Sequence, residues 1–131
     1  MPSKTKGINA ERELIHLFWQ TKNWAACRIA GSGSSQYPSA DILASNINRK
    51  LAIEAKITKD KAKYFNKEEI NQLEEFSKRF GAEPWIAVKF KTQNWLFLSL
   101  EDLKKSGKNF VISTELAKIK GLNFEELIKE L

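Results

Sequence analysis

Lys50-Leu51-Ala52-Ile53-Glu54-Ala55-Lys56-Ile57 alternates between two kinds of side chain. In an extended chain successive side chains point to opposite faces. Leu51, Ile53, Ala55 and Ile57 therefore share one face, and Lys50, Ala52, Glu54 and Lys56 share the other. The run predicts a strand with one buried face, and with a carboxylate and an ammonium side by side on the second. Taken alone, a Glu and a Lys two apart on a strand is an ordinary solvated face with a weak ion pair.

Asp41 shifts that balance. It lies upstream in Ala40-Asp41-Ile42-Leu43-Ala44, a short strand-like run, so that two carboxylates and a lysine can meet at one strand end. Hard oxygen ligands such as Asp41 and Glu54 suit Mg²⁺, which keeps waters in its octahedral shell and leaves positions for a phosphate oxygen. A metal held there activates water and polarises a phosphate, and an ammonium beside it stabilises the charge that in-line attack creates. Lys56 is the candidate for that role. The chemistry so assembled is hydrolysis of a phosphodiester.

Upstream, Ala10, Leu14, Leu17 and Phe18 recur at helical spacing within residues 7–20, with Ile15 widening the stripe, which predicts an amphipathic helix packed on a sheet. Glu11 lies on the border of that stripe, from which it can look toward the strand ends; a carboxylate that merely complements the helix dipole explains its position at least as well. Trp24-Ala25-Ala26-Cys27-Arg28-Ile29-Ala30 reads as a strand. Residues 31–39 hold two glycines, four serines and one proline, which predicts a mobile loop able to close over a substrate. It is not a phosphate-binding P-loop, because no Gly-Lys-Ser/Thr follows the glycines.

Downstream, Asn66-Lys67-Glu68-Glu69 has the spacing of a helix capping box, and Ile70, Leu73, Phe76 and Phe80 continue a helix to Gly81. Strands follow at residues 85–90 and 95–98, joined by a polar turn as a hairpin. The order helix, three strands, helix, two strands predicts an α/β chain with a central mixed five-stranded sheet flanked by helices. At 131 residues one domain over residues 1–131 is expected, with residues 1–6 flexible. Toward the C-terminus the pattern weakens: a short helix at 101–105, a strand at 109–113 and a terminal helix after Asn123 are the readings.

The net charge is +6. Basic residues gather at Lys4 and Lys6, at Arg49 and Lys50, between Lys56 and Lys67, and at Lys89 and Lys91. A positive face suits a nucleic-acid backbone, although Lys59, Lys61 and Lys63 read equally well as a solvated loop. No recognition helix, zinc finger or basic zipper is present, which favours recognition of shape and backbone. The lone Cys27 excludes an internal disulfide framework and fits a reducing compartment; on a buried strand it is expected as a small apolar filler. His16, the one histidine, has no partner for a zinc site. No signal peptide or membrane span is evident, so the expected location is the cytoplasm, at the nucleoid.

Lys6-Gly7, Ala10-Glu11-Arg12-Glu13-Leu14, Arg28, Ala30-Gly31-Ser32-Gly33-Ser34, Asp41-Ile42, Glu54-Ala55-Lys56, residues 76–81 and Ala87-Val88-Lys89-Phe90 together resemble the archaeal Holliday junction resolvases. The likeness runs in order from Lys6 to about Phe97. It implies a restriction-endonuclease-like nuclease fold, a homodimer, and Mg²⁺, with Mn²⁺ as a substitute, nicking two opposing strands of a four-way DNA junction. Recombination or replication proteins would be further partners. The implied metal ligands are Glu11, Asp41 and Glu54, with Lys56 as catalytic lysine and Ser32 as the loop serine near the scissile phosphate. The implied DNA contacts are Lys4, Lys6, Arg12, Arg28, Ser34 and Lys89. Two positions depart from the family pattern: Ala40 replaces a proline before the Asp, and Ala55 replaces a valine. Neither removes a functional group. A related repair or restriction-like endonuclease and a catalytically silent DNA-binding scaffold are the alternatives; the survival of Glu11, Asp41, Glu54 and Lys56 argues against the scaffold, since carboxylates repel phosphate unless a metal is present.

Overall fold

A computed structural model describes residues 3–31, 36–91 and 93–129, with side chains from Lys6 onward. Helix α1 is Ser3–Trp19, followed by strands β1 (Ala25–Arg28), β2 (Ile42–Ser45), β3 (Lys50–Thr58) and β4 (Ala62–Asn66). Helix α2 (Lys67–Phe80) leads to β5 (Glu83–Phe90) and β6 (Leu96–Ser99). A 3₁₀ turn (Leu100–Asp102), β7 (Lys104–Ser106), β8 (Asn109–Ser113), α3 (Thr114–Lys120) and α4 (Phe124–Leu127) complete the described chain.

Five strands form the main sheet in the order β1-β2-β3-β5-β6. Only β3 and β5 run parallel, and every other neighbour pair is antiparallel. A parallel pair needs a long crossover, and β4 with α2 supplies it. The mixed five-stranded sheet expected from the sequence is thus present, with β5 and β6 as the expected hairpin.

Strand β3 shows why the sheet is covered on both sides. Leu51 and Ile53 are wholly buried in one core with Leu14, Phe18, Ile42, Phe97 and Leu127, and Ala55 and Ile57 pack against it. Ala52 alternates into the second core with Leu73, Ile86, Val88, Leu98 and Ile112. Helix α1 therefore covers one face and α2 the other. The Trp19 indole fastens α1 to the edge strand by donating to the Ala26 carbonyl at 2.8 Å.

Helix α2 begins with the capping box that its sequence predicts: the Asn66 side chain accepts from Glu69 N at 2.7 Å, and Asn66 N donates to the Glu69 carboxylate at 3.1 Å. It ends at Gly81, whose φ of 77° is left-handed and suits glycine. At the same end of the sheet, Arg49 makes a two-pronged pair with Glu83 at 2.9 Å on each arm and donates to the Leu127 carbonyl at 2.6 Å.

Several features differ from expectation. A second, three-stranded sheet in the order β4-β8-β7 packs beside the first, so Lys63 belongs to a strand and not to a solvated loop. Residues 101–105 give a single 3₁₀ turn and the start of β7 in place of a helix. Helix α1 starts one turn earlier than its apolar stripe suggests, at Ser3. Cys27 is exposed, because β1 is an edge strand whose alternation turns that residue outward. No helix among the described residues is long and apolar enough to cross a membrane.

Candidate active site

Asp41 stands where three strands are about to separate. Its backbone N–H donates to the Ile53 carbonyl at 3.0 Å and its carbonyl accepts from Ile29 N at 2.8 Å, so it extends the ladder on both sides of β2. Its Oδ2 accepts from Ala55 N at 3.0 Å. A side chain here does the work of a backbone carbonyl, which fixes the carboxylate beside β3.

Glu54 and Lys56 leave β3 on the face that carries Ala52, as the alternation requires. Lys56 Nζ lies 3.3 Å from Glu54 Oε2. Asp41, Glu54 and Lys56 line one pocket of about 270 Å³, closed on its other side by Ser39, Asn66, Glu68, Glu69 and Gln72. The opening turns of α2 thus form the far wall, where Gln72 donates to Glu68 at 3.2 Å.

The charges of this pocket do not balance. Burial, then the neighbouring Asp41, raise the Glu54 carboxyl to about 7, against the opposing pull of Lys56. Burial alone would lower the Lys56 ammonium, but Glu54 and Asp41 outweigh it and raise it. Burial thus acts in opposite senses on the two groups, and what they share is the crowding of carboxylates around a single ammonium, so the site favours taking up a proton or another cation. The oxygen donors of Asp41 and Glu54 are of the type that binds a hard divalent ion, and the donor set fits such an ion.

Glu11 approaches from elsewhere. It rides on α1, across the sheet from the pocket, and its Oε1 accepts from Arg28 Nε on β1 at 2.8 Å. Burial and then Asp41 raise its carboxyl, while Arg28 and Lys56 oppose the shift, so it senses the pocket electrostatically without lining it. Among the described residues no three His, Cys, Asp or Glu side chains are placed to hold a metal ion. The expected set of Glu11, Asp41 and Glu54 is therefore brought to one neighbourhood but not to one coordination sphere.

The remaining expected residues divide as follows. Ser32 and Ser34, within residues 32–35 of the predicted Gly/Ser loop, lie outside the described residues, as does the side chain of Lys4. Arg12 is exposed on α1. Arg28 is engaged by Glu11. Lys6 and Lys89 line a separate groove, where Lys89 Nζ donates to Glu13 Oε1 at 2.7 Å and the Trp95 indole donates to the same oxygen at 3.1 Å. Sequence reasoning missed Ser39, Glu68, Glu69 and Gln72 as pocket residues. The capping box announced the helix start, but only the pairing of β3 with β5 puts that start opposite Glu54.

The chain matches the family model described as archaeal Holliday junction resolvase (Hjc) over residues 2–131. It is 37% identical to crossover junction endodeoxyribonuclease Hjc of Archaeoglobus fulgidus, covering 97% of this chain and 98% of that protein. Against the Methanocaldococcus jannaschii protein of the same name it is 35% identical over 94% of this chain and 86% of the relative. It is also 34% identical to crossover junction endodeoxyribonuclease Hje of Saccharolobus solfataricus, over 93% of this chain and 94% of that one. The solved structure of Archaeoglobus fulgidus Hjc, a Holliday junction resolvase from an archaeal hyperthermophile, superposes with a TM-score of 0.84 at 35% identity, covering 93% of this chain and 94% of the other. The helix-flanked mixed sheet is accordingly the restriction-endonuclease-like fold, and the chain belongs to the archaeal Holliday junction resolvase family.

Proposed function

We propose that this protein is a structure-selective, Mg²⁺-dependent endonuclease that resolves four-way DNA junctions by paired nicks, acting as a homodimer of single nuclease domains on the DNA of the nucleoid, in the cytoplasm. The observation that carries this reading is the surplus of negative charge where Asp41, Glu54 and Lys56 meet in one pocket. Asp41 and Glu54 would hold the divalent ion, and Glu11 would join them on release from Arg28. When bound, the ion supplies polarisation of the phosphate and a more acidic water.

The chain's own groups divide the remaining tasks. Lys56 stays an ammonium, because its neighbours raise its pKa, and so it suits charge stabilisation on the phosphate better than proton abstraction. Glu54 must shed its proton before it can serve as a ligand. Ser32 and Ser34, in the Gly/Ser-rich stretch of sequence before Asp41, would approach the scissile phosphate, and Arg12, Arg28, Lys4, Lys6 and Lys89 would hold the backbone.

Two-fold symmetry of the substrate calls for a two-fold protein, so that equivalent sites reach opposing strands. Phe80, 46% exposed, and Trp19, 58% exposed, border an apolar hollow with Ala25, Ala26, Cys27 and Leu43, a surface of the kind that covers itself in a dimer.

The test is cleavage of a four-way junction, a flap and a linear duplex of matched sequence, with Mg²⁺ and with chelator. Paired symmetric nicks in the junction, with metal only, are expected. Cutting of flap or duplex in preference would move the activity to repair or restriction, and tight binding without cutting would make the protein a scaffold.

A further inference from the structure

Two arginines at opposite ends of the main sheet hold carboxylates, and they hold them differently. Arg49 grips Glu83 with Nε and Nη2, at 2.9 Å on each arm. Arg28 holds Glu11 by Nε alone, at 2.8 Å. Among the described residues the two Nη groups of Arg28 make no hydrogen bond. A guanidinium used for lasting recognition of a carboxylate engages both arms of its fork. A single bond between side chains that are 29% and 17% exposed is held more weakly and can open.

The placement of this pair gives its opening a consequence. Arg28 lies opposite Ile42 across β1 and β2, and the next residue, Ile29, donates its N–H to the Asp41 carbonyl. The guanidinium is thus anchored beside the strand end that carries Asp41. Glu11 feels both Asp41 and Lys56 through space, yet it does not line the pocket that holds them. While Arg28 occupies its Oε1, the carboxylate is drawn toward β1 on the α1 side of the sheet. Arg28 and a cation at Asp41 and Glu54 therefore compete for one negative charge.

We propose that Arg28 is a positioning residue that latches Glu11 away from the metal site in the DNA-free protein, and that opening of the pair completes the site with its third carboxylate. The inference rests on the nuclease reading given above, with Asp41 and Glu54 as ligands. A site whose complete form is populated only part of the time shows an affinity lowered by that fraction. The latched protein accordingly binds metal weakly, and its cutting power is held back until the pair opens.

Mn²⁺ binding to the full chain without DNA, read from the electron paramagnetic resonance signal of the free ion at mildly alkaline pH, tests the latch in a double-mutant cycle. Arg28→Met keeps the apolar stem and removes the fork. It should tighten Mn²⁺ about tenfold, the size of effect that a change beside a metal ligand carries. Glu11→Gln should leave the Kd near the wild-type value, because the latched carboxylate contributes little. In the Glu11→Gln background Arg28→Met should gain little, since no carboxylate is left to release. Simple removal of a positive charge would instead tighten Mn²⁺ by the same factor in both backgrounds. Arg28→Lys, which can pair with Glu11 again, should return to the wild-type affinity. Equal factors in the two backgrounds, no gain in Arg28→Met, or a Glu11→Gln that weakens the wild type about tenfold would overturn the latch. Arg28→Gln takes the place of Arg28→Met in the cycle if circular dichroism shows the latter unfolded, and unfolding itself would lose Mn²⁺ where the latch predicts a gain. Asp41→Asn separates the two readings. If it binds Mn²⁺ as the wild type does, the nuclease site itself falls; if it loses Mn²⁺ while the cycle is additive, the latch alone falls.

Discussion

Replacing Glu54 with glutamine should change how stability depends on pH more than it changes the fold. Burial and Asp41 raise this carboxyl from 4.5 to about 7. The folded state therefore holds a proton that the unfolded chain releases between those two values. For such a group the stabilising contribution is fully present below the unfolded pKa and is lost as pH rises through the folded one. The difference of 7 − 4.5 = 2.5, at about 1.36 kcal/mol per unit, gives a loss of about 3 kcal/mol across that window. Glutamine cannot ionise, so Glu54→Gln should remove this part of the slope. It leaves Lys56 with Asp41 as its remaining partner, so the variant's advantage above neutral pH should fall somewhat short of the full figure. Glu11, also raised, keeps a residual slope in both proteins, and the difference between the two curves isolates Glu54. Urea unfolding of wild type and variant at intervals from acid to mildly alkaline pH, in chelator, measures it. Curves that run parallel through the whole window would refute the argument, because Glu54 would then titrate alike in both states.

Asp41→Asn should abolish junction cutting yet leave junction binding equal or tighter, since the amide oxygen can still accept from Ala55 while one negative charge disappears; a gel-shift assay beside the cleavage assay reads both. Phe80→Glu places charge in the exposed apolar hollow and should convert the proposed dimer to a folded monomer in sedimentation, and an unchanged mass would remove α2 from the proposed interface. Ser77 is 1% exposed, and its hydroxyl has no hydrogen-bond partner; Ser77→Ala should stabilise the protein by about 1 kcal/mol in thermal or urea unfolding by removing an unsatisfied polar group. Arg49→Ala breaks the pair with Glu83 and leaves the Leu127 carbonyl without its donor, and should cost about 2–3 kcal/mol in the same measurement.

The central strand was legible because its code is local. Alternation in residues 50–57 assigned each side chain to a face, and the two cores divide β3 in that way. The capping box and Gly81 likewise bounded α2 from residues within a turn of each other. What escaped the sequence was non-local. Strand β4 follows Lys59 and Lys61 and carries Lys63, so this stretch reads as a loop until β8, far along the chain, pairs with it as Tyr64 with Val111 and Phe65 with Phe110. Strand β7 is exposed throughout, so no apolar alternation marks it. Cys27 was misjudged because a short run of small residues does not disclose which strand becomes the edge. The pocket was half legible: Asp41, Glu54 and Lys56 followed from spacing, whereas Glu69 and Gln72 reached the site only through the crossover. Glu11 was the ambiguous residue in the sequence, and in the structure it is held by Arg28 at the margin of the site.

The two-sided construction of the sheet bears on when such a protein becomes dangerous to the cell that makes it. Glu11 belongs to the helix docked on one face, Glu54 and Lys56 look out from the other, and Asp41 is held at the seam by hydrogen bonds to β1 and β3. A chain that has docked α2 without α1 lacks Glu11, and one that has docked α1 without α2 lacks the wall of Glu68, Glu69 and Gln72 that closes the pocket. Competence to break DNA would then arrive with the last docking event, so that a nascent or partly unfolded copy is harmless to the genome and fold completion itself acts as the safety catch.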